Sequence, residues 1–536
     1  MQKDGDQTNG ESVRFHSRLR YLWPSDRYTR AFKRHLRSRR VRWRSDSSVI
    51  LLEAFQVPSN IVALSIFAEV LADRSSRIIA FESTWARSFR PIYSQLRHLA
   101  SPLSLISNRK LLITRFRNKA RREALATAQG ILESNNEPDR FEKIQINGIV
   151  IGDLVYDLYM RRTSEPTLDF SDPRLQSILA ECIGYLRFWQ EYFDRVNVKA
   201  VCVSHSVYHF GIISRVAISR NVPSYQVTAE GIYYLTDKFP MAYTEKKNYP
   251  QDFSQFSIED QDHARELAAE RLDLRFSGHV GIDMPYSTIS AYGHGTPVGE
   301  TPSLIQDSKK LKVLVAVHDF FDSPHSFGHN LYPDFLIWMR RLGQLSQKVN
   351  YDWYIKTHPD IQGRGAEILA EFISEFPNFT VLPPSASHHQ IISEGIDVAL
   401  TVYGTIGVEY PALGVPVIAA SVNGPHSAYS FCYTPGTRTE YEHAILNLHE
   451  NLSAPDALQV REYYFLNYIH QLKTWVYQDY DAYLDIVGGY SGSMTTKAMG
   501  EYVDSFSKAF DSRTRLALAN FIQSRDPRLN KSHFRV

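Results

Sequence analysis

The chain has 536 residues, enough for two or three domains, and 43% of them are hydrophobic, ample for ordinary cores. A net charge of +2 gives no overall pull toward polyanions, and three scattered cysteines (Cys182, Cys202, Cys432) exclude a disulfide framework and a cysteine zinc site. No signal-peptide core is visible, and the longest smooth apolar run, 61–72, is too short for a bilayer and carries Glu69, so a cytoplasmic protein without a membrane span is expected.

Charge is uneven along the chain. Residues 14–44 hold twelve Arg or Lys and one acid, Asp26, with Tyr28, Phe32 and Leu36 recurring every four residues and Trp23 and Trp43 flanking them. A basic amphipathic segment of this kind suits an anionic membrane face. Residues 1–46 are therefore expected to form a basic arm that holds the protein peripherally on the inner face of the cytoplasmic membrane. No base-reading module follows, and no nucleic-acid partner is expected.

The globular part opens with the apolar run Val49-Ile50-Leu51-Leu52, a helical pattern from Ser59 to Leu71, and a second run at 77–81, which is a βαβ beginning and predicts a parallel sheet. Residues 84–140 read as helical and basic, and Ile146–Ile151 as a strand ending at Gly152-Asp153. A helix over 173–195 precedes a buried strand at 200–203, which ends at Ser204-His205. A further strand, 222–227, ends at Thr228-Ala229-Glu230-Gly231. Residues 285–310, rich in Ser, Thr, Gly and Pro, read as a linker. A second βαβ series starts at 311–317 and continues near 351–356, 379–382, 397–401 and 415–420. The predicted class is α/β: two Rossmann-like doubly wound domains, 47–284 and 311–454, facing a cleft, followed by helices over 455–536.

Chemistry concentrates at the predicted strand ends, where ligands of open α/β sheets bind. Lys356-Thr357-His358-Pro359-Asp360 follows one apolar run, and Val402-Tyr403-Gly404-Thr405-Ile406-Gly407-Val408-Glu409 follows another ending at Thr401. A Gly404-Thr405 step entering a helix offers backbone N–H groups and a positive dipole end to a phosphate. His358 and Lys356 sit at the neighbouring tip, and Glu409, one turn into the helix, is placed to accept from a ribose diol. His318, Asp322 and His325 follow the first strand of the second domain and are candidates to line the cleft. Together these parts describe a pocket for a sugar nucleotide.

Glycosyl transfer to a hydroxyl calls for a base. The first-domain candidates are Glu230 and His205, with His209 beside the latter; Asp153 and Asp157 either cap a helix or touch substrate. Asp479-Tyr480-Asp481 spells a DxD, but positions i and i+2 of a helix point apart, so no metal is expected there. Metal-independent chemistry without a cofactor is expected, with helix dipole, Lys and His neutralising the leaving phosphate.

The Lys356–Pro359 motif, the run Gly404–Ile418 and Gly152-Asp153-Leu154-Val155-Tyr156-Asp157 together resemble the bacterial capsule- and surface-polysaccharide glycosyltransferases of the GT-B fold, the Lys-x-His-Pro, Kdo-transferase-like group. The similarity covers 311–425 and, more thinly, 145–235. It implies a nucleotide-sugar donor in the second domain, with His358 near its phosphate, Thr405 at the phosphate-binding helix start and Glu409 on the ribose. The acceptor would be a growing polysaccharide or glycolipid. Glu230-Gly231 resembles the acidic-Gly pair of some CMP-sugar transferases, which points to a CMP-linked donor. Pro411 departs from an ideal helix. Three alternatives stay open: a CDP-polyol phosphotransferase of the teichoic-acid type, a sugar-nucleotide epimerase, and an inactive polymer-binding subunit.

Overall fold

The computed structural model describes residues 26–39, 48–54, 57–72, 76–83, 90–107, 110–114, 116–281, 283, 290–292, 302–357 and 364–534. Its frame is two mostly parallel sheets. In chain order the first domain contributes helix α1 (Arg27–Ser38), strand β1 (Val49–Glu53), helix α2 (Pro58–Ala72), strands β2 (Arg77–Glu82) and β3 (Leu112–Ile113), and helices α3 (Gly152–Thr163) and α4 (Pro173–Arg195). Strand β4 (Val198–Val203), helix α5 (Gly211–Ser219) and the strands β5 (Ser224–Val227) and β6 (Ile232–Leu235) follow. The sheet order is β3-β2-β1-β4-β5-β6, parallel throughout except for β6, which returns antiparallel to β5.

The second sheet is built from β7 (Lys312–Ala316), β8 (Asp352–Lys356), β9 (Phe379–Val381), β10 (Val398–Thr401) and β11 (Val417–Ala419), in the order β9-β8-β7-β10-β11. Both orders are the doubly wound arrangement with the first strand central, in which ligands collect beyond the strand carboxyl ends. The fold is thus the two-domain α/β arrangement read from the sequence. Buried parallel strands must be apolar on both faces. Accordingly Val49 and Leu51 pack into one core while Ile50 and Leu52 pack into the opposite one. In β7, Val313 and Val315 face away from Leu314 in the same way.

The packing redraws the domain limits expected from sequence. Helix α6 (Ile258–Phe276) precedes the linker yet buries Ala264, Ala268, Leu272 and Phe276 in the second domain's core, beside Leu314 and Tyr354. The described linker residues stay with that domain: Tyr292 is buried there, and the N–H groups of Leu304 and Ile305 donate to Glu394, each at 2.7 Å. Residues 455–536 are not a separate helical tail. Helix α7 (Ala457–Tyr464) covers the second core, and the chain then crosses back. Trp475, Tyr483, Met499, Leu518 and Phe521 join Ile50, Leu52 and Phe67 in the first domain's core. The segment also pairs there through its backbone, Leu529 N–H donating to Ile232 O at 2.9 Å.

That return explains α1. Its Phe32 is fully buried and meets the Tyr502 ring edge-on at 5.8 Å, and Leu36 is buried with it. The Tyr28 ring lies so close that a Cβ added at Gly500 would meet it at 2.2 Å, so this crossing requires glycine. Arg39 forms a two-pronged pair with Asp511 at 2.7 and 3.0 Å. The apolar spacing of 28, 32 and 36 therefore marks a protein-facing stripe, not the membrane-facing one expected from sequence. Residues 14–25 and 40–44 of the arm lie outside the described residues.

Phe32→Ala should cost about 3–5 kcal/mol of unfolding free energy in denaturant titration, because the ring leaves a sealed cavity. A change below about 1 kcal/mol would mean that α1 is not docked.

Candidate functional site

The carboxyl ends of β1, β4 and β5 open into a cavity of about 570 Å³ that His205, Glu230, Tyr233, Tyr243, Lys246 and Arg528 help to line. Behind the lining residue Ser204, β1 ends in Glu53, a carboxylate only 6% exposed. Ser204, the first residue after β4, donates to Glu53 Oε2 from its N–H at 2.6 Å and from its hydroxyl at 2.7 Å. Burial raises the Glu53 pKa to about 7, and the two Ser204 bonds oppose that rise. The Ser204 hydroxyl, its proton committed to Glu53, is in turn 2.9 Å from His205 Nδ1. The network assigns Nδ1 as the N–H donor and Nε2 as the basic nitrogen. Burial, and next the charge of Arg161, lower the His205 pKa, so the ring is neutral at pH 7.

Backbone strain accompanies this arrangement. Tyr208 (φ 57°), in the loop that follows His205, and Tyr243 (φ 75°), on the cavity wall, are held in the left-handed region. Such a conformation in a non-glycine residue persists only where the surroundings enforce it, typically at functional sites.

Glu230, the other candidate base, sits in the hairpin turn between β5 and β6, closed by Thr228 N–H donating to Gly231 O at 2.9 Å. It lines the same cavity; burial raises its pKa, opposed by its own backbone N–H and by a hydrogen bond from the Thr228 side chain at the tip of β5. His209 is a packing residue: its ring lies 4.2 Å from that of Phe210, and burial lowers its pKa to about 4. Lys246, brought down to about 8 by burial, and Arg528, its charge paired with Glu245 at 3.4 Å, line the cavity together with the carboxylates of Asp283 and Asp481. Neither cation was singled out by sequence, because nothing local marks them; Arg528 arrives from the C-terminal return.

In the second domain the structure brings His318, Thr401 and Gly404 together. His318 Nε2 lies 3.2 Å from Thr401 Oγ1 and accepts from the N–H groups of Val402 and Tyr403 at 3.4 and 3.3 Å. Its ring stacks on Phe335 at 4.6 Å. Thr401 Oγ1 also accepts from Gly404 N–H at 3.2 Å. These side chains hold the shape of the turn, so His318 and Thr401 act beneath it and not toward a ligand. Thr405 is exposed at the start of helix α8 (Ile406–Ala412), which runs only three residues past Glu409; Pro411 lies inside it and the helix ends one residue later. Seven residues give a weaker dipole end than a long helix would.

Two expected donor contacts are committed elsewhere. The Glu409 carboxylate is buried, accepting from Arg275 Nε at 3.0 Å and from the Tyr292 hydroxyl at 2.9 Å. It bolts α6 and the linker to α8 and does not face a ribose. Lys356 Nζ donates to the carbonyls of Pro384 at 2.8 Å and Thr357 at 3.3 Å, and burial lowers its pKa to about 8. It ties off the end of β8. Asp322 is exposed and accepts from Ser323 N–H at 2.8 Å. His358 lies outside the described residues. In the DxD, Asp479 caps the helix Tyr480–Val487 through Ala482 N–H at 3.0 Å and Asp481 pairs with Lys473 at 2.8 Å, so the two carboxylates diverge.

The two halves of the site are linked. An aromatic line runs from Tyr243 on the cavity wall through Phe327 (6.2 Å) to Tyr403 (5.1 Å from Phe327) and His318 (4.8 Å from Tyr403). The Arg161 charge, on α3, reaches both His205 and Asp322.

No family model and no curated protein matches the sequence. Among solved structures, the UDP-GlcNAc 2-epimerase from Neisseria meningitidis bound to UDP-GlcNAc is 12% identical over 80% of this chain and 95% of that one, with a TM-score of 0.22. HepE from Anabaena in complex with UDP is 11% identical over 85% and 98%, at 0.24, and MurG from Acinetobacter baumannii 10% over 79% and 95%, at 0.23. At such scores these likenesses carry no argument about chemistry; the strand orders and the side-chain geometry do.

Between pH 4.5, the ordinary value, and about 7 the folded state holds the Glu53 proton more tightly than the unfolded chain does. Stability should therefore fall as pH rises through that window, by up to roughly 3 kcal/mol. Denaturation midpoints of Glu53→Gln should lack this component; equal slopes for variant and wild type would place Glu53 in water.

Proposed function

We propose that the protein is a metal-independent glycosyltransferase that moves a sugar from a nucleotide-activated donor, CMP-linked by the Glu230-Gly231 resemblance, to a bacterial surface or capsular polysaccharide or glycolipid acceptor. The observation that carries the reading is the Glu53–Ser204–His205 line at the strand tips of one doubly wound domain, opening into a cavity with tyrosine walls. The acceptor hydroxyl approaches His205, whose Nε2 takes its proton as the oxygen attacks the anomeric carbon. The bond from that carbon to the nucleotide phosphate breaks, and its electron pair leaves with the phosphate. The Ser204 hydroxyl holds the imidazolium by Nδ1–H and passes the influence of the Glu53 carboxylate to it. Tyr243, exposed on the cavity wall, offers a flat apolar face to a sugar ring, and Lys246 beside it suits an anionic group. The donor is assigned to the turn at 402–405 of the second domain by its place at the strand ends and by the family resemblance.

His205→Gln should reduce kcat about 10²–10⁴-fold while the thermal shift caused by CMP, CDP, UDP or GDP stays at its wild-type value. Product mass separates sugar transfer from polyol-phosphate transfer, and an unchanged rate would remove His205 as the base.

Peripheral attachment to an anionic membrane is assigned to the outer face of α1. Arg27, Arg30, Arg34 and Arg37 are exposed there, opposite the buried Phe32 and Leu36. Each arginine near an anionic surface contributes about 1 kcal/mol, screened by salt. Replacing Arg34 and Arg37 together by Ala should weaken sedimentation with phosphatidylserine vesicles at low salt, leaving denaturation unchanged. Equal sedimentation of variant and wild type would end the assignment.

A further inference from the structure

Where the domains touch, away from the His205 cavity, four side chains close on one small volume. Glu142 and Asp157 come from the first domain, and His325 and His329 from the loop between β7 and the helix Phe335–Ser346 of the second. His325 is 1% exposed, with Nε2 3.0 Å from Glu142 Oε2 and Nδ1 2.6 Å from Asp157 Oδ1. His329 Nδ1 lies 3.5 Å from the same Glu142 oxygen. One ligand atom from each of Glu142, His325 and His329 falls within 4.8 Å of the other two, the one such group among the described residues.

These separations are those of a coordination shell. Bonds of about 2.0–2.1 Å from zinc to nitrogen or oxygen place tetrahedral ligand atoms roughly 3.3 Å apart. The two measured edges fall on either side of that value. A carboxylate behind a ligating imidazole, fixing its tautomer and aim, is the usual companion of such a shell. Asp157 stands in this position behind His325 and is itself held by the Ser323 hydroxyl. Gly328, with φ at 93°, turns the chain so that both imidazoles address one carboxylate. A protonated His325 bridging Asp157 and Glu142 satisfies only part of this geometry. His329 Nδ1 is sealed from water and makes no hydrogen bond.

We propose that Glu142, His325 and His329 bind a divalent transition metal of the zinc class, with water as fourth ligand, and that the ion clamps the two domains together. The His329 side chain, 39% exposed, gives the ion its route from solvent. None of the three ligands lines the His205 cavity, which makes the ion a structural clamp and leaves sugar transfer metal-independent.

The test uses the full chain, stripped with chelator and reloaded with ZnCl₂ or CoCl₂. One equivalent of metal should survive gel filtration, and the Co²⁺ form should show the visible d–d absorption of a tetrahedral ion. His329→Ala removes a half-exposed ring and should weaken Zn²⁺ binding at least ten-fold. Asp157→Asn should weaken it about 10–100-fold with all three ligands present. Circular dichroism confirms that each variant is folded, and Glu142→Gln replaces any that is not. Failure of the reloaded wild type to retain an equivalent, leaving only a proton bridge, overturns the proposal. So does wild-type affinity in His329→Ala.

Discussion

A carboxylate buried beneath the strand tips is the constraint on which the candidate site depends. Glu53 ends the central strand of the first sheet, where water cannot solvate it, and an unpaired charge there would be costly. Among the described residues only Ser204 donates to it, and both of that residue's donors are used. Two bonds are not enough to hold the carboxylate fully ionised, so its pKa comes to rest near neutrality. Once the Ser204 hydroxyl points at Glu53, its lone pairs face His205, and the imidazole tautomer follows. The orientation of the proposed base is therefore decided one strand away, by the burial of a group that touches no substrate.

How much of this was legible follows from where each partner lies in the chain. Parallel strands advertise themselves by runs such as Val49–Leu52 and Lys312–Ala316, because both faces are covered, and those runs predicted both sheets. His205 and Glu230 were legible as strand-end residues. Glu53 was not singled out, although an acid closing a wholly apolar run is a visible signal. Glu409 fits a nucleotide motif in its local sequence, yet Arg275, 134 positions earlier, claims its carboxylate. Lys356 was legible as a cation at a strand tip, but the Pro384 carbonyl that occupies it belongs to a loop with no motif. Local pattern reports which groups are available; it does not report which distant group arrives first.

The amphipathic stripe of α1 makes the same point for apolar surface. Tyr28, Phe32 and Leu36 are correctly spaced to leave water, and the hydrophobic effect does not distinguish a bilayer from a protein core as destination. The choice is settled by residues 475–529, which return to the first domain and present Tyr502 and Gly500 to the helix. Periodicity predicted helices there without revealing which sheet they cover. The return also delivers Arg528 to the cavity wall, so one crossing of the chain completes a core, docks the N-terminal helix and adds a cation to the site.

Beside the aromatic line, buried polar contacts cross the seam between the domains, and these have a mechanical consequence. Ser323 and His325 reach Asp157, Tyr156 reaches Asp334, and Arg438 reaches Asp139, all across the seam. The Asp157 carboxylate and the Tyr156 hydroxyl are buried, and burial with their partners raises the Tyr156 pKa. Apolar seams slide, because any apolar neighbour serves nearly as well as another. Buried charge-assisted bonds do not, since each displaced partner leaves a group unpaired at several kcal/mol. The relative placement of the two strand-end surfaces is thus fixed in steps and not continuously. With the seam so held, the Arg161 charge acts on both His205 in the first domain and Asp322 in the second.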